Sequence, residues 1–417
     1  MKITIHRGCA EIGGTCVEIS DDGRSILLDL GLPLDKDALP TDVTALHPDA
    51  VLVSHPHQDH FGLIETLGGN VPVYLGQLSH DLIDAPRLFR EDVAPVDWNI
   101  KHIDAWDKFD VAGFTVTPYL VDHSTPEAFA FLIEKNGERI FYSGDFRGHG
   151  RKNILFKKLL KRPPKNIDAL IMEWTMIGRD NHEFPTETDV EKSIISFCKS
   201  HDGATFVVCS GQNVDRLVSA YRACLQTEKI LVIDLYTAWV LEKVKRKSSR
   251  MPQMSWDKVR VSIPGYQYDR LKSENGKYRA FLDEAFKSRI KIEDIEAAPN
   301  LYLNLVRPSA VKYLRLFQSK GPINIIYSQW SGYLEDEFVK KGDWPVDMVA
   351  LRDELAERFA YIHTSGHAVE EDLKALVDAL KPKALIPVHT ERGDAFEELF
   401  GSTVNLNDGE GYDLLHE

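Results

Sequence analysis

The chain reads as an α/β protein of two domains, the first interrupted by the second. Three features lead there. Residues 1 to 60 hold short strands of period two separated by Gly and Asp, the grammar of an antiparallel sheet packed on one face. From about Asn181, apolar strands alternate with amphipathic helices, which implies βαβ units and a parallel sheet. Near the end, a helix from Glu370 to Leu380 and the buried run Ala384-Leu385-Ile386-Pro387 lead back to the first pattern. Residues 1–180 and 356–417 are therefore expected to form one discontinuous domain, and residues 181–355 an insertion.

Composition agrees with this size and narrows the class. A chain of 417 residues suffices for two domains. With 43% apolar residues it can bury a sizeable core. The formal charge of −14 argues against non-specific nucleic-acid binding by the surface as a whole, yet leaves room for a local basic channel. The five cysteines are odd in number and form no C-x-x-C pair, so reduced thiols and a cytoplasmic setting are expected. The first residues lack the apolar core of a signal peptide. No apolar run approaches the ~20 residues that span a bilayer, so no membrane partner is expected.

In chain order, Lys2 to His6, Thr15 to Ile19 and Ser25 to Asp29 read as strands. Ala50-Val51-Leu52-Val53-Ser54 is a short Val-rich run before a Pro, hence a buried strand ending near His55. Residues 62 to 69 read as a short helix and turn, 77 to 90 as a helix, and 109 to 121 as strand. Asn136-Gly137, between Phe129–Glu134 and Arg139–Tyr142, marks a hairpin with a type I′ turn. Ile167 to Met172 is another buried strand. In the insertion, Thr188-Asp189-Val190-Glu191 reads as a capping box opening a helix to about Lys199. Strands at 204–209, 229–234, 301–306 and 323–328 alternate with helices at 213–225, from 236, and at 309–318. Residues 245 to 298 read as charged and less regular.

The chemistry gathers at strand ends. His55-Pro56-His57-Gln58-Asp59-His60 places three imidazoles and a carboxylate in six residues, and neutral His with ionised Asp suits zinc or a similar divalent ion. A loop taking its aim from a strand that stops abruptly would direct these side chains into one cleft. His123 likewise follows a strand. Asp145 follows a strand and a Gly. Asp29, at another strand end, either supports a metal-bound His or caps a turn.

The spacing H-x-H-x-D-H resembles the signature of the metallo-β-lactamase superfamily, and Glu11-Ile12-Gly13-Gly14 and Leu28-Asp29-Leu30-Gly31 look like its opening hairpins. Two late motifs, Thr364-Ser365-Gly366-His367-Ala368 and Pro387-Val388-His389-Thr390-Glu391, together with the strand-ending Glu173, resemble those of the β-CASP nucleases, and in particular of the ribonuclease J family. The resemblance implies an αββα sandwich with an inserted β-CASP α/β domain. It implies two divalent metal ions, zinc by preference with manganese as the alternative. His55, His57, His123 and Asp145 would hold one, and Asp59, His60, Asp145 and His389 the other. Asp59 would orient the attacking water, Glu173 and His367 would serve catalysis, and Ser365, Gly366 and His367 would hold the substrate phosphate. Thr390 stands where the family commonly has Gly, and the family's C-terminal dimerisation domain is not expected.

The function so implied is a two-metal ribonuclease acting on single-stranded RNA, with a 5′-exonuclease mode favoured over endonuclease cutting. Trp330, in a loop after a strand, is a candidate for stacking on a base. The competing functions are hydrolysis of a small ester, lactone or thioester, and a DNA-acting β-CASP nuclease; a catalytically dead scaffold is disfavoured by the full ligand set. Lys and Arg runs at 151–162 and 243–250 read as solvated helix faces rather than as a binding channel.

Overall fold

The protein is described from a computed structural model, which covers the chain except residues 36, 91–95, 180–182, 336–338, 340–344, 396–398, 402 and 415–417. It divides into two compact units. One comprises Met1–Ile83, Val96–Asp180 and Gly366–Glu417; the other comprises Asp84–Pro95 and Asn181–Ser365.

The first unit is a four-layer sandwich. One sheet contains β1 (Lys2–Arg7), β2 (Cys16–Asp21), β3 (Arg24–Leu28), β4 (Ala50–Leu52), β5 (Pro72–Gly76), β6 (Asn99–Ile103) and β20 (Glu410–Asp413), in the order β20-β1-β2-β3-β4-β5-β6. The other contains β7 (Phe109–Val111), β8 (Phe114–Val121), β9 (Ala128–Lys135), β10 (Glu138–Tyr142), β11 (Ala169–Glu173) and β19 (Ala384–Val388), in the order β19-β11-β10-β9-β8-β7. Ile5, Val17, Ile26 and Leu52 of the first sheet meet Phe129, Phe131, Ile140 and Ile171 of the second in one core. The alternate residues Ala128, Ala130, Leu132 and Leu170 face α3 (Asn153–Lys161) and α12 (Glu370–Leu380) on the outside. Because both faces of β9 are buried, its sequence Ala-Phe-Ala-Phe-Leu-Ile is apolar throughout rather than alternating. Val51, Val53, Val73 and Leu75 cover the outer face of the first sheet together with Phe61, Ile64 and Ile83. Phe61 ends the one-turn helix α1 (Gln58–Phe61), and Ile83 lies in α2 (Gln77–Leu88).

The first sheet is mixed rather than antiparallel. β1, β2 and β3 pair antiparallel, but β3-β4, β4-β5 and β5-β6 are parallel. The unbroken apolar run at 50–53 has no alternation because both its faces are covered. The Asn136-Gly137 turn has φ of 53° and 89°, as a type I′ turn requires, and pairs Lys135 with Glu138.

The second unit is one parallel sheet. Its strands are β12 (Ala204–Val208), β13 (Ile230–Asp234), β14 (Val259–Ser262), β15 (Arg289–Ile290), β16 (Tyr302–Val306), β17 (Ile323–Tyr327) and β18 (Phe359–Tyr361), in the order β15-β14-β13-β16-β12-β17-β18. Its helices are α4 (Glu187–Ser200), α5 (Val214–Gln226), α6 (Leu235–Val244), α7 (Gly265–Lys272), α8 (Arg279–Lys287), α9 (Ile292–Ala297), α10 (Val311–Gln318) and α11 (Pro345–Leu355). The charged stretch 245–298 is thus ordered, with two short strands and three helices. Charged residues mask its periodicity because those helices bury only narrow faces, such as Phe281, Leu282 and Ala285 of α8. The cap of α4 is Thr186, not Thr188: its hydroxyl accepts from the Asp189 amide. Strand β18 pairs with β17, so the second unit runs past residue 356 to Ser365, while the expected boundary at 180/181 falls outside the described residues. Among the described residues, no helix is long and apolar enough to cross a membrane.

Candidate metal centre

The first unit brings seven of the candidate residues together at strand ends. His55 and His57 follow β4. Asp59 and His60 lie on α1 rather than in an open loop, and this single turn lets His60 fold back under His55 with ring centroids 4.1 Å apart. His123 follows β8, Asp145 follows β10, and His389 follows β19. Four overlapping groups have ligand atoms within 4.8 Å of one another: His55-His57-His123, His55-His60-Asp145, Asp59-His60-His389 and Asp145-His367-His389.

Hydrogen bonds at the back of each ring decide which nitrogen faces inward. His60 Nδ1 lies 2.8 Å from Asp29 Oδ2, His123 Nδ1 lies 2.7 Å from the Gly366 carbonyl, and His389 Nδ1 lies 2.7 Å from the Thr15 hydroxyl. With a proton on Nδ1 of His60 and His123, a neutral ring presents a lone pair at Nε2. His55 Nε2 and His57 Nδ1 stand 3.0 Å apart, and His123 Nε2 is 3.3 Å from the same His57 atom. Nε2 of His389 and Oδ1 of Asp145 are buried and have no hydrogen-bond partner among the described residues. Converging lone pairs and orphaned buried acceptors are costly by themselves and favourable around a cation. The residues present therefore fit a divalent metal.

Four of the rings are held neutral, while His60 carries a proton that a bound metal would displace. Burial holds His55, His57, His123 and His389 below the usual histidine range, which leaves them neutral as ligands must be. For His60, burial opposes charge but Asp145, Asp29 and Asp59 outweigh it and raise the ring well above that range. For Asp145, burial opposes charge, but His60, His389 and His367 outweigh it and hold the carboxyl well below its usual value. The two describe one buried ion pair, His60 Nε2 to Asp145 Oδ2 at 3.2 Å.

Glu173 ends β11 and accepts from the amides of Thr175 at 3.0 Å and Ala368 at 3.1 Å. Its Oε2 lies 3.4 Å from His367 Nδ1. Burial disfavours a charged His367, but Glu173 and Asp145 prevail and push it to about 9. Gly366 is tied to the site through the His123 bond. Ser365 is its chain neighbour, at the end of the second unit. Trp330 lies in the second unit beyond β17, half-buried with its ring 5.3 Å edge-to-face from Tyr333.

Sequence reasoning did not single out three supporting residues. Tyr142 donates to Asp29 Oδ2 at 2.6 Å, and the Ser54 amide and hydroxyl donate to the two Asp29 oxygens at 2.7 Å each. Thr15 backs His389. Tyr142 and Ser54 sit one to three residues from a ligand candidate, which was the available signal.

Comparisons with known proteins bear on this arrangement. A family model described as a beta-lactamase superfamily domain matches residues 24–196, and one described as a Zn-dependent metallo-hydrolase RNA specificity domain matches residues 354–405. Ribonuclease J of Mycoplasma genitalium is 23% identical over 422 residues, 94% of this chain and 68% of that protein. Transcription termination factor FttA of Methanothermobacter thermautotrophicus is 27% identical over 222 residues, 46% of this chain and 34% of that protein. A crystal structure of a protein of unknown function from Enterococcus faecalis V583 shares the fold, with a TM-score of 0.74 at 20% identity and 99% of each chain covered. A superfamily model over the His-rich region, an RNA-specificity model over the returning segment and ribonuclease J relatives along most of the length agree with the geometry above: the chain resembles the metallo-β-lactamase superfamily, in its β-CASP, ribonuclease J-like group.

Proposed function

We propose that the protein is a ribonuclease that hydrolyses phosphodiester bonds of single-stranded RNA with two divalent ions, zinc by preference, in a 5′-directed exonuclease mode. The observation that carries this is the RNA-specificity match over 354–405, because that segment supplies His367 and His389 to the same cluster as His55, His60 and Asp145. His55, His57, His123 and Asp145 would hold one ion, and Asp59, His60, Asp145 and His389 the other. Bound ions supply Lewis acidity toward the phosphodiester oxygens and lower the pKa of a water.

The chain's own groups do the rest. Asp59, whose side chain is 14% exposed beside the sealed His60, would orient the attacking water as a hydrogen-bond acceptor. Glu173 would hold Nδ1 of the His367 ring, which leaves the Nε2–H to meet a phosphate oxygen or the departing ribose oxygen. Ser365 and the Gly366 amide would add donors to the same phosphate. Trp330 stays a candidate base-stacking residue.

Digestion of end-labelled RNA and DNA, with 5′-phosphate and 5′-hydroxyl ends compared, tests the reading. RNA shortened from its 5′ end with zinc or manganese, and halted by chelator, is the expected outcome. His367→Ala is expected to lower turnover by about 10²- to 10⁴-fold while two metal equivalents remain. Intact RNA of every 5′ state, with a lactone or thioester opened at enzymatic rates, would move the protein to the small-ester class.

A further inference from the structure

The second unit carries a cavity of about 460 Å³ that the hydrolytic centre does not use. The described residues that line it all belong to that unit. It lies outside the carboxyl ends of adjacent parallel strands. Ser210 and Gly211 follow β12, Tyr236 follows β13, Arg307 follows β16, and Gln329 follows β17. In the sheet order β13-β16-β12-β17, the chain leaves β12 through α5 toward β13, but leaves β16 through α10 in the opposite direction, toward β17. Right-handed crossovers running in opposite directions put their helices on opposite faces and open a crevice between the two departing loops, the place where open α/β sheets receive ligands.

The described lining combines arginines with aromatic rings. Arg307 lies over the Tyr236 ring, 5.2 Å from its centroid. Its guanidinium donates to the Tyr266 hydroxyl at 2.7 Å and is 3.5 Å from Asp234, so it is held as a fixed plate. Tyr236 is held from behind by Phe89, edge-to-face at 5.6 Å, while its hydroxyl accepts from Gln212 at 2.8 Å. Tyr266 is 60% exposed. The amide oxygen of Gln329 is buried and has no hydrogen-bond partner among the described residues. In a chain of net charge −14, the described residues of this lining include two arginines, Arg90 and Arg307, and among them no carboxylate.

We propose that this crevice holds one nucleotide unit, its base stacked on Tyr266, a base N–H given to Gln329, and its phosphate against Arg307 and Arg90. Aromatic rings and arginine planes are the sequence-tolerant platform for single-stranded nucleic acid. The proposal rests on the ribonuclease reading only for the source of the nucleotide, an RNA strand. A free nucleoside 5′-monophosphate presents the same chemistry.

The test separates the two readings. Binding of a fluorescein-labelled, phosphorothioate-linked RNA 10-mer is measured by anisotropy, and hydrolysis of bis(p-nitrophenyl) phosphate reports the metal centre alone. Tyr266→Ala is expected to weaken RNA binding by about 5- to 100-fold, and Tyr266→Phe by less than about twofold, since it keeps the stacking face. Arg307→Gln is expected to reduce the slope of log affinity against log salt by about 0.7, one phosphate contact on a single strand. All three are expected to leave hydrolysis of the small diester unchanged. Wild-type RNA binding and salt slope in Tyr266→Ala and Arg307→Gln would overturn the crevice as a nucleotide site, whatever the protein hydrolyses. If the wild type binds no RNA but takes up adenosine 5′-monophosphate in calorimetry, and Tyr266→Ala does not, the crevice stands with a free nucleotide as its ligand and the ribonuclease reading falls. Absence of any Tyr266-dependent binding, of RNA or of the mononucleotide, overturns it.

Discussion

Asp29 shows how much one buried side chain organises. It has φ of 62°, a left-handed conformation that Asp tolerates better than most residues, and this turn at the end of β3 aims its carboxylate at Ser54, His60 and Tyr142. Four hydrogen bonds converge on its two oxygens. The consequence is a fixed ring plane and tautomer for His60. Asp29→Asn is expected to reduce metal affinity about 10- to 100-fold, read by competition with a chromogenic chelator. Tyr142→Phe leaves Asp29 its other three donors and is expected to lose less. Unchanged affinity in Asp29→Asn would reduce Asp29 to a turn cap. His389 also has a left-handed backbone, φ 56°, held by its amide to the Gly8 carbonyl at 2.7 Å and by the Thr175 hydroxyl to its own carbonyl at 3.3 Å. His389→Gly would relax this backbone but remove the imidazole, and strain of about 1–3 kcal/mol of this kind persists where the surroundings over-determine a site.

Among the elements, α4 is secured twice. Thr186 caps its first turn, and Glu187, 1% exposed, pairs with the fully buried Arg216 of α5 at 3.1 Å. Arg216 also donates to Ser328 beyond β17, so one guanidinium ties two helices to a strand end. Thr186→Ala is expected to cost about 1 kcal/mol, the usual worth of a hydroxyl cap. Glu187→Ala leaves the Arg216 charge without its carboxylate and is expected to cost about 3–5 kcal/mol, whereas replacing both partners by apolar residues of similar volume recovers most of that loss. Urea unfolding of the single and double variants measures the difference. Equal losses for Thr186→Ala and Glu187→Ala would show that the pair adds nothing beyond the cap.

At the scale of the whole molecule, the buried thiols and phenols predict an alkaline limb of stability. Burial pushes Cys198 up to about 11, Cys209 and Tyr313 to about 12, and Tyr236 to about 12. In the unfolded chain these groups ionise near ~8.5 for Cys and ~10 for Tyr. Above those values the native state keeps protons that the unfolded state releases, so stability falls as pH rises. The contribution is full below about pH 8.5 and is lost progressively between about 8.5 and 12. The urea midpoint is expected to hold from pH 7 to 8 and to drop by pH 10. In the same experiment the five buried, unpaired cysteines are expected to resist a thiol reagent at pH 8 until the chain unfolds. A flat midpoint to pH 10, or prompt reaction of native thiols, would contradict this.

Local chemistry settles much of this protein. Strand and helix grammar is carried by residues a few positions apart, so the α/β class, the Asn136-Gly137 hairpin and the location of His55, His123, Asp145 and His389 at strand ends could be read directly. Relations between distant residues could not. Nothing near β4 says that it runs parallel to β3, because an apolar strand covered on both faces pairs equally well either way. The Thr15-His389 contact closes 374 residues, and the Tyr142-Asp29 bond closes 113. The crevice of Tyr236, Tyr266 and Arg307 exists only because β16 lies between β13 and β12, a strand order set by which faces the helices must bury and by no residue alone.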